Sequence, residues 1–338
     1  MPVDGLVIND TTYAGTFASY FWVPATYGMD TIRKGAVYVH DGIKKQATVG
    51  RIDFSNPLQP RKATPAPGQS QFTVDARVLA PKDMMCYVEF NPRDYEAHWL
   101  AEDLSPTLLA RELPVTAENY MMQIALNRTF EQIELGLWQG WSGYSAVTDP
   151  TDPRYQIQYF DGFIYKFLND PAVTFAQSPG PLISGVTAAG NVNIGDAFFG
   201  ALRGTRKALL ANPARYNRLK FLVSIEDEQI YQDYLTIQQF KNNNTTDRGL
   251  NLYKGYEVVP IAGLPKDTFI FCEVTGGPDS NLHVGMNSME DNALELMRLQ
   301  NNSEMFFLKG NMKYDVQYAW SNQTYVYTTL TVNSFVTT

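Results

Sequence analysis

The stretch TAENYMMQIALNRTFEQIELGLWQG, Thr116 to Gly140, constrains the architecture of this chain more than any other. Thr116 is a suitable N-cap, and apolar residues recur at Met122, Leu126, Phe130, Ile133 and Leu137, the spacing of one helical face. At about 1.5 Å per residue such a helix spans roughly 35 Å, a long beam for a domain of this size. Gln123, Asn127, Glu131 and Glu134 are expected on its polar face.

Two β-rich pieces, GAVYVHDGIKKQATVGRIDF and SQFTVDARVLAPKDMMCYVEF, flank NPLQPRKATPAPGQ, where Pro57, Pro60, Pro65, Pro67 and Gly68 forbid regular structure. This reads as a long hairpin with a proline-rich tip. A two-stranded hairpin of that length is not stable alone in water, so it must dock on its own body or on a neighbour. The residues before Gly35 carry short apolar pieces without sustained periodicity and read as an extended arm that gains order by lying on something else.

After the long helix, PRYQIQYFDGFIYKFLND suggests a strand, a turn at Asp161-Gly162 and a further apolar piece. The Gly- and Pro-rich stretch from Ser178 to Gly195 marks passage into a second lobe. There the pattern predicts a helix from Asp196 to about Ala211, with Phe198, Leu202 and Leu209 inward and Asn212-Pro213 as its stop. The strand LKFLVSI, a helix from about Asp227 to Phe240 and the polar loop KNNNTTDRG follow. YKGYEVVPIAGLPKDTFIFCEV reads as two apolar strands joined by a turn at Pro265 to Asp267. The final segment reads as a β-meander with tight turns at Gly310-Asn311 and Ser321-Asn322.

Composition narrows the function classes. The chain of 338 residues exceeds one average domain, and 44% apolar with 18% charged residues excludes a disordered tail protein. An aromatic content of 13% is high and suits cores and interfaces. A net charge of -8 argues against wrapping nucleic acid by counterion release. There is no run of about 18 apolar residues, so no membrane span is expected. Met1 to Gly15 has no signal-peptide pattern, and only Cys86 and Cys272 are present, which points to a reducing cytosol.

The search for chemistry returns little. His40, His98 and His283 are scattered, and neither cysteine has a ligand at metal-binding spacing. Ser142 in GWSGY is one glycine short of a nucleophile elbow and reads as a turn serine. Glu226, Asp227 and Glu228 sit at a helix start, and with Glu290, Asp291 and Glu295 they read as a solvated face. Arg203, Arg206, Lys207, Arg215, Arg218 and Lys220 form a basic cluster, read as a solvated helix face, with intersubunit ion pairs next and a nucleic-acid patch last. Tyr314, Tyr318, Trp320, Tyr325 and Tyr327 are spaced to stack across strands, with a carbohydrate platform as the sharper alternative. No cofactor is indicated, and the chain does not read as an enzyme.

The order of parts (arm, proline-tipped hairpin, long helix, YFDGF turn, glycine-rich passage, helix-strand lobe and sheet return) resembles the major capsid proteins of tailed bacteriophages with the Hong Kong 97-type fold. The likeness rests on FFGALRGTRKALLANPARYNRLKFLVSIEDEQIYQDYL, LYKGYEVVPIAGLPKDTFIFCEV and NLHVGMNSMEDNALELMRLQNNSEMFFLKGNMKYDVQYAW. It implies an α+β fold with an N-terminal arm at 1–35, an extended β-hairpin loop at 36–95, a peripheral domain with the long spine helix at 96–180 and 291–338, and an axial domain at 181–290. It implies a subunit that assembles with itself into hexamers and pentamers of an icosahedral virion shell enclosing double-stranded DNA without sequence-specific binding. Assembly would take place in the host cytoplasm, with scaffolding, portal and decoration proteins as further partners and no membrane. No helical built-in scaffold segment is found at the N-terminus, so a separate scaffold or none is expected. Pro65, Ala66, Pro67 and Gly68 at the hairpin tip, Arg203, Arg206 and Lys207, and the axis-facing loop around Asn242, Asn243 and Asn244 are the expected subunit contacts. An encapsulin-like nanocompartment shell shares the fold, and a carbohydrate-active or carbohydrate-binding protein is the alternative from another class.

Overall fold

The computed structural model describes residues 11–13, 28–54, 61, 64, 72–91, 115–186, 190–205, 213–237, 251–287, 294–299 and 305–336. Along the first half run β1 (Thr11–Tyr13), the single-turn helix α1 (Asp30–Arg33), β2 (Tyr38–His40), β3 (Ala47–Phe54), β4 (Phe72–Leu79) and β5 (Lys82–Phe90). The long helix α2 (Val115–Gln139) and the short α3 (Phe163–Leu168) come next. The second lobe holds β6 (Thr174–Phe175), β7 (Leu182–Ile183), β8 (Val192–Asn193), α4 (Ile194–Gly204), α5 (Pro213–Tyr216), β9 (Leu219–Ser224), α6 (Ile225–Ile237), β10 (Leu252–Tyr253), β11 (Tyr256–Ile261) and β12 (Thr268–Glu273). The chain then returns through β13 (Leu282–Met286), β14 (Leu294–Arg298) and β15 (Phe306–Tyr318), ending in β16 (Tyr325–Thr328) and α7 (Val332–Val336).

The expected beam is present. Leu126, Phe130, Ile133 and Leu137 of α2 are all buried, packed with Phe160, Phe163 and Phe167. Glu134, expected on the polar face, is instead buried, held by Thr31 of α1. The YFDGF segment contains no strand: 153–157 is a 3₁₀ turn, and α3 begins directly after Gly162. Gly162 is needed for close approach. Its N–H donates to Gly140 O at 2.8 Å, and a Cβ there would sit 2.7 Å from Gly136 O.

β15 organises the first six-stranded sheet. One side of it pairs with β14 and then β13, which bring in β1 and β2, and β5 runs along the other side. The turn expected at Gly310-Asn311 does not occur; Gly310 pairs with Leu294 on one flank and Cys86 on the other. The physical reason is an unbroken period of two: Leu308, Gly310, Met312, Tyr314, Val316 and Tyr318 are all buried, so the strand gains by continuing. The 3₁₀ turn Ser321–Gln323 then carries the chain into β16 of the other sheet. The C-terminal aromatics therefore divide between two sheets and do not form one meander. Tyr327 stacks on Phe269 of β12, with ring centroids 5.0 Å apart.

In the second sheet the order is β10-β11-β9-β12-β16-β6. β11 and β12, expected as a hairpin, do not pair: β9 lies between them, parallel to β11 and antiparallel to β12. All six residues of β12 are buried, as befits a strand covered on both faces. Phe198 of α4 fills one side of this core, 4.5 Å from Phe221 and 4.9 Å from Phe269 between ring centroids. Leu209 and the residues around it lie outside the described set. α6 starts at Ile225, two residues earlier than expected, because the Ser224 hydroxyl accepts from Asp227 N at 3.0 Å and caps it.

Candidate assembly surfaces

β3 and β4 form a two-stranded ribbon whose register runs from Ala47↔Leu79 to Phe54↔Phe72. Alternation gives the ribbon two faces. Val49 and Leu79 turn inward onto Ile43 and Ala319. Arg77 pins the same face to the body, 2.6 Å from the Asp170 carboxylate and 4.3 Å from the centroid of the Tyr318 ring. On the opposite face Thr48, Gly50, Val74, Ala76 and Val78 are exposed, with Val74 at 71% and Val78 at 51%. The ribbon is thus tethered by one face and presents apolar side chains on the other. The tip residues Pro65, Ala66, Pro67 and Gly68 lie outside the described residues.

A second apolar surface lies where β5 meets α2. A cavity of about 1290 Å³ is lined by Met84, Cys86, Phe90, Ile133, Phe160 and Met312 among others. Met85 (56% exposed), Tyr87, Val88, Ile124 and Tyr159 stand exposed around it. Burial holds the Cys86 thiol above its usual range, so it is a packing residue rather than a nucleophile.

On the second lobe, Arg203 is exposed on α4 with its guanidinium 5.5 Å from the Phe199 ring, whose face also receives Lys254 Nζ at 4.1 Å. Arg206, Lys207, Asn242, Asn243 and Asn244 lie outside the described residues. The remaining members of the basic cluster do not form a solvated face. Arg215 pairs with buried Glu273 at 3.0 Å, Arg218 reaches Glu273 and Asp279, and Lys220 binds Glu257 at 2.8 Å. The acidic group is likewise split: Glu226 is exposed, Asp227 is fully buried and Glu295 sits on β14, with Glu290 and Asp291 outside the described set.

Tyr314, Tyr318, Tyr325 and Tyr327 are all buried, and Trp320 is half-buried with the Arg215 guanidinium 5.5 Å from its ring, so the five rings do not form an open carbohydrate platform. Ser142 donates through both N–H and O–H to Asp161 Oδ1, closing a turn. No group of three or more metal-binding side chains occurs among the described residues, and no helix among them is long and apolar enough to cross a membrane.

Two of the three histidines that looked scattered come together, and His98 lies outside the described residues. His40 Nε2 and His283 Nδ1 lie 2.9 Å apart across the parallel β2–β13 pair, with the Tyr38 ring edge-on to both. One imidazole donates and the other accepts, which requires the accepting ring to be neutral. Burial, then the His40 neighbour, pushes His283 down to about 4. His283 in the unfolded chain protonates near pH 6.5, so its contribution is intact above that value and is lost as pH falls toward 4. Urea titrations should therefore show wild type losing about 2 kcal/mol more than His283→Gln between pH 7 and pH 5. Equal losses in the two proteins would refute the pairing.

No family model matches the sequence, and no curated protein sequence matches it. Solved structures do. A chain of the satellite phage P4 procapsid including size determination (Sid) protein aligns with a TM-score of 0.57 at 9% identity, over 94% of this chain and 92% of that one. The capsid of the cyanophage P-SCSP1u gives 0.49 at 11% identity, over 88% and 87%. The holo-SrpI encapsulin complex from Synechococcus elongatus gives 0.48 at 8% identity, over 88% and 86%. The first likeness, together with the order of hairpin, long helix and two sheets, shows the fold: an α+β architecture shared with that chain. The fold is the Hong Kong 97-type capsid fold.

Proposed function

We propose that this chain is a major capsid protein of a tailed phage, a non-enzymatic subunit that assembles with itself into the hexamers and pentamers of an icosahedral virion shell around double-stranded DNA. The observation that carries this reading is the alignment of 94% of the chain with a procapsid protein. It is supported by the exposed apolar faces on the ribbon and beside α2, which lie on different parts of the molecule. Two unlike surfaces are what a heterologous, ring-closing contact requires. The net charge of -8 suits a wall that encloses DNA without gripping it. In this reading residues 1–35 are the arm, 36–95 the extended loop, 96–180 with 291–338 the peripheral domain and 181–290 the axial domain. Pro65 to Gly68, Arg203, Arg206 and Lys207, and Asn242 to Asn244 would meet neighbours. Scaffolding, portal and decoration proteins would be further partners, and assembly would precede packaging in the host cytoplasm.

The test is size-exclusion chromatography of the purified protein followed by negative-stain microscopy. Closed shells or capsomer rings are expected. A protein that stays monomeric at high concentration and with candidate scaffolds added would overturn the reading, and a shell filled with protein cargo would move it to a nanocompartment.

A further inference from the structure

α1 is a single turn, too short to hold its shape unaided, yet three separate parts of the molecule grip it. Asp30 accepts from Ala262 N at 3.1 Å, and Lys34 donates to Pro260 O at 2.7 Å, which ties α1 to the end of β11 and the residue after it. Gly35, at φ +63, lies against Gly276, at φ +66, on the crossing from β12 to β13. Thr31 donates through both its N–H, at 3.1 Å, and its hydroxyl to Glu134 Oε1 on the long helix, while Trp138 Nε1 donates to the Thr31 hydroxyl at 2.8 Å. Gly263 packs so tightly on α2 that a Cβ there would sit 2.4 Å from Glu134 O. The segment 29–35 therefore joins the long helix, the β11 end of the second sheet and the strand crossing between the two sheets.

We propose that α1 is a conformational latch, set by the ionisation of Glu134, that locks the N-terminal exit of the chain onto the long helix and the second lobe together.

The chemistry follows from what surrounds the carboxyl. Glu134 is 6% exposed, and its Oε2 is buried with no hydrogen-bond partner among the described residues. From α1, Asp30 faces it with like charge and Lys34 with opposite charge, but the Lys34 ammonium is already shared between Asp30 and Pro260 O. The 260–263 segment contributes no ionisable side chain, and Trp138 on its own helix is neutral. An ionised Glu134 thus buries a charge with one oxygen unsatisfied, which is costlier than burying the neutral acid. Burial outweighs the two Thr31 donors and raises the Glu134 carboxyl above its ordinary value. A group whose affinity for protons is higher in the closed latch favours closure when protonated. The latch is tight on the acid side and loosens as pH rises through the raised value.

Hydrogen–deuterium exchange on the full-length protein reads this directly, because the Thr31 amide is itself the donor to Glu134. After correction for intrinsic exchange rates, protection of the peptide spanning 28–36 is expected to fall about tenfold between pH 5 and pH 8 in wild type, as the carboxyl loses its proton and closure loses its advantage. Glu134→Gln should hold high protection at both pH values. Thr31→Val, which keeps the shape and removes a donor to the carboxylate, should lower protection throughout and steepen its fall with pH. A wild-type protection independent of pH, or a slope unchanged in either variant, would overturn the latch. The readout is local to α1, so it stands or falls separately from whether shells form.

Discussion

Asp227→Ala should destabilise the protein by about 2–5 kcal/mol, the cost of orphaning two buried donors, and lower its Tm by on the order of 5 °C. The Asp227 side chain is fully buried, with Oδ1 accepting from Asp267 N at 3.1 Å and Oδ2 from Thr268 N at 3.1 Å. Asp267 sits in the left-handed region at φ 57, and its own carboxylate accepts from Leu182 N at 2.6 Å. One buried acid therefore holds the Gly-Leu-Pro-Lys-Asp turn in place at the start of β12, and the turn in turn holds β7. Burial is the larger influence on this carboxyl and lifts it to about 6 in spite of its donors. Its folded value lies above its unfolded value, so its contribution is complete below about pH 4 and declines as pH rises through 6. Denaturant titrations should accordingly find Asp227→Ala more damaging near pH 4 than near pH 7, by about 2–3 kcal/mol. The histidine pair acts in the opposite direction over this range but is common to both proteins and cancels in the comparison. A loss that does not vary with pH would show that Asp227 titrates alike folded and unfolded.

Asp227 also shows where sequence reading stops. Ser224 and Asp227 carry the spacing of a capping pair, and that signal places the start of α6 at Ile225 once it is noticed. Nothing local says that the same carboxylate turns inward, because its partners are Asp267 and Thr268, forty residues away in the chain. Glu134 is the same case: the helical period is legible from Leu126 to Leu137, but Thr31 makes an apparently polar position a buried one. The β11–β12 segment has the composition of a hairpin, and only the insertion of β9, a non-local event, separates its strands. At β15 the glycine at 310 misleads, since a residue without a side chain signals a turn in isolation, whereas here it is paired by a strand on each flank. The His40–His283 contact has no sequence signature beyond two strands of matching alternation. The element order, by contrast, survives these local errors, which is why it led to the fold when no single motif did.

The ribbon offers the sharpest test of the proposed function. Replacing Val74 and Val78 together by aspartate should leave the subunit folded and abolish shells. Both side chains are already largely in water, at 71% and 51% exposure, so each substitution is expected to change the stability of the isolated subunit by no more than about 0.5 kcal/mol. In a shell the same face would be covered by a neighbour, and each buried carboxylate would arrive without a partner at a cost of several kcal/mol. Even about 3 kcal/mol per contact weakens each association by more than a hundredfold, and a closed shell multiplies that loss over every subunit. Circular dichroism and melting should match wild type, while chromatography and microscopy should find only small species. Val49→Asp supplies the contrast, since Val49 is buried on the inner face and its replacement should unfold the ribbon root. Normal shells from the double aspartate variant would show that the outer face stays in water after assembly. In that case the contact surface would have to be sought beside α2, at Met85, Tyr87 and Ile124.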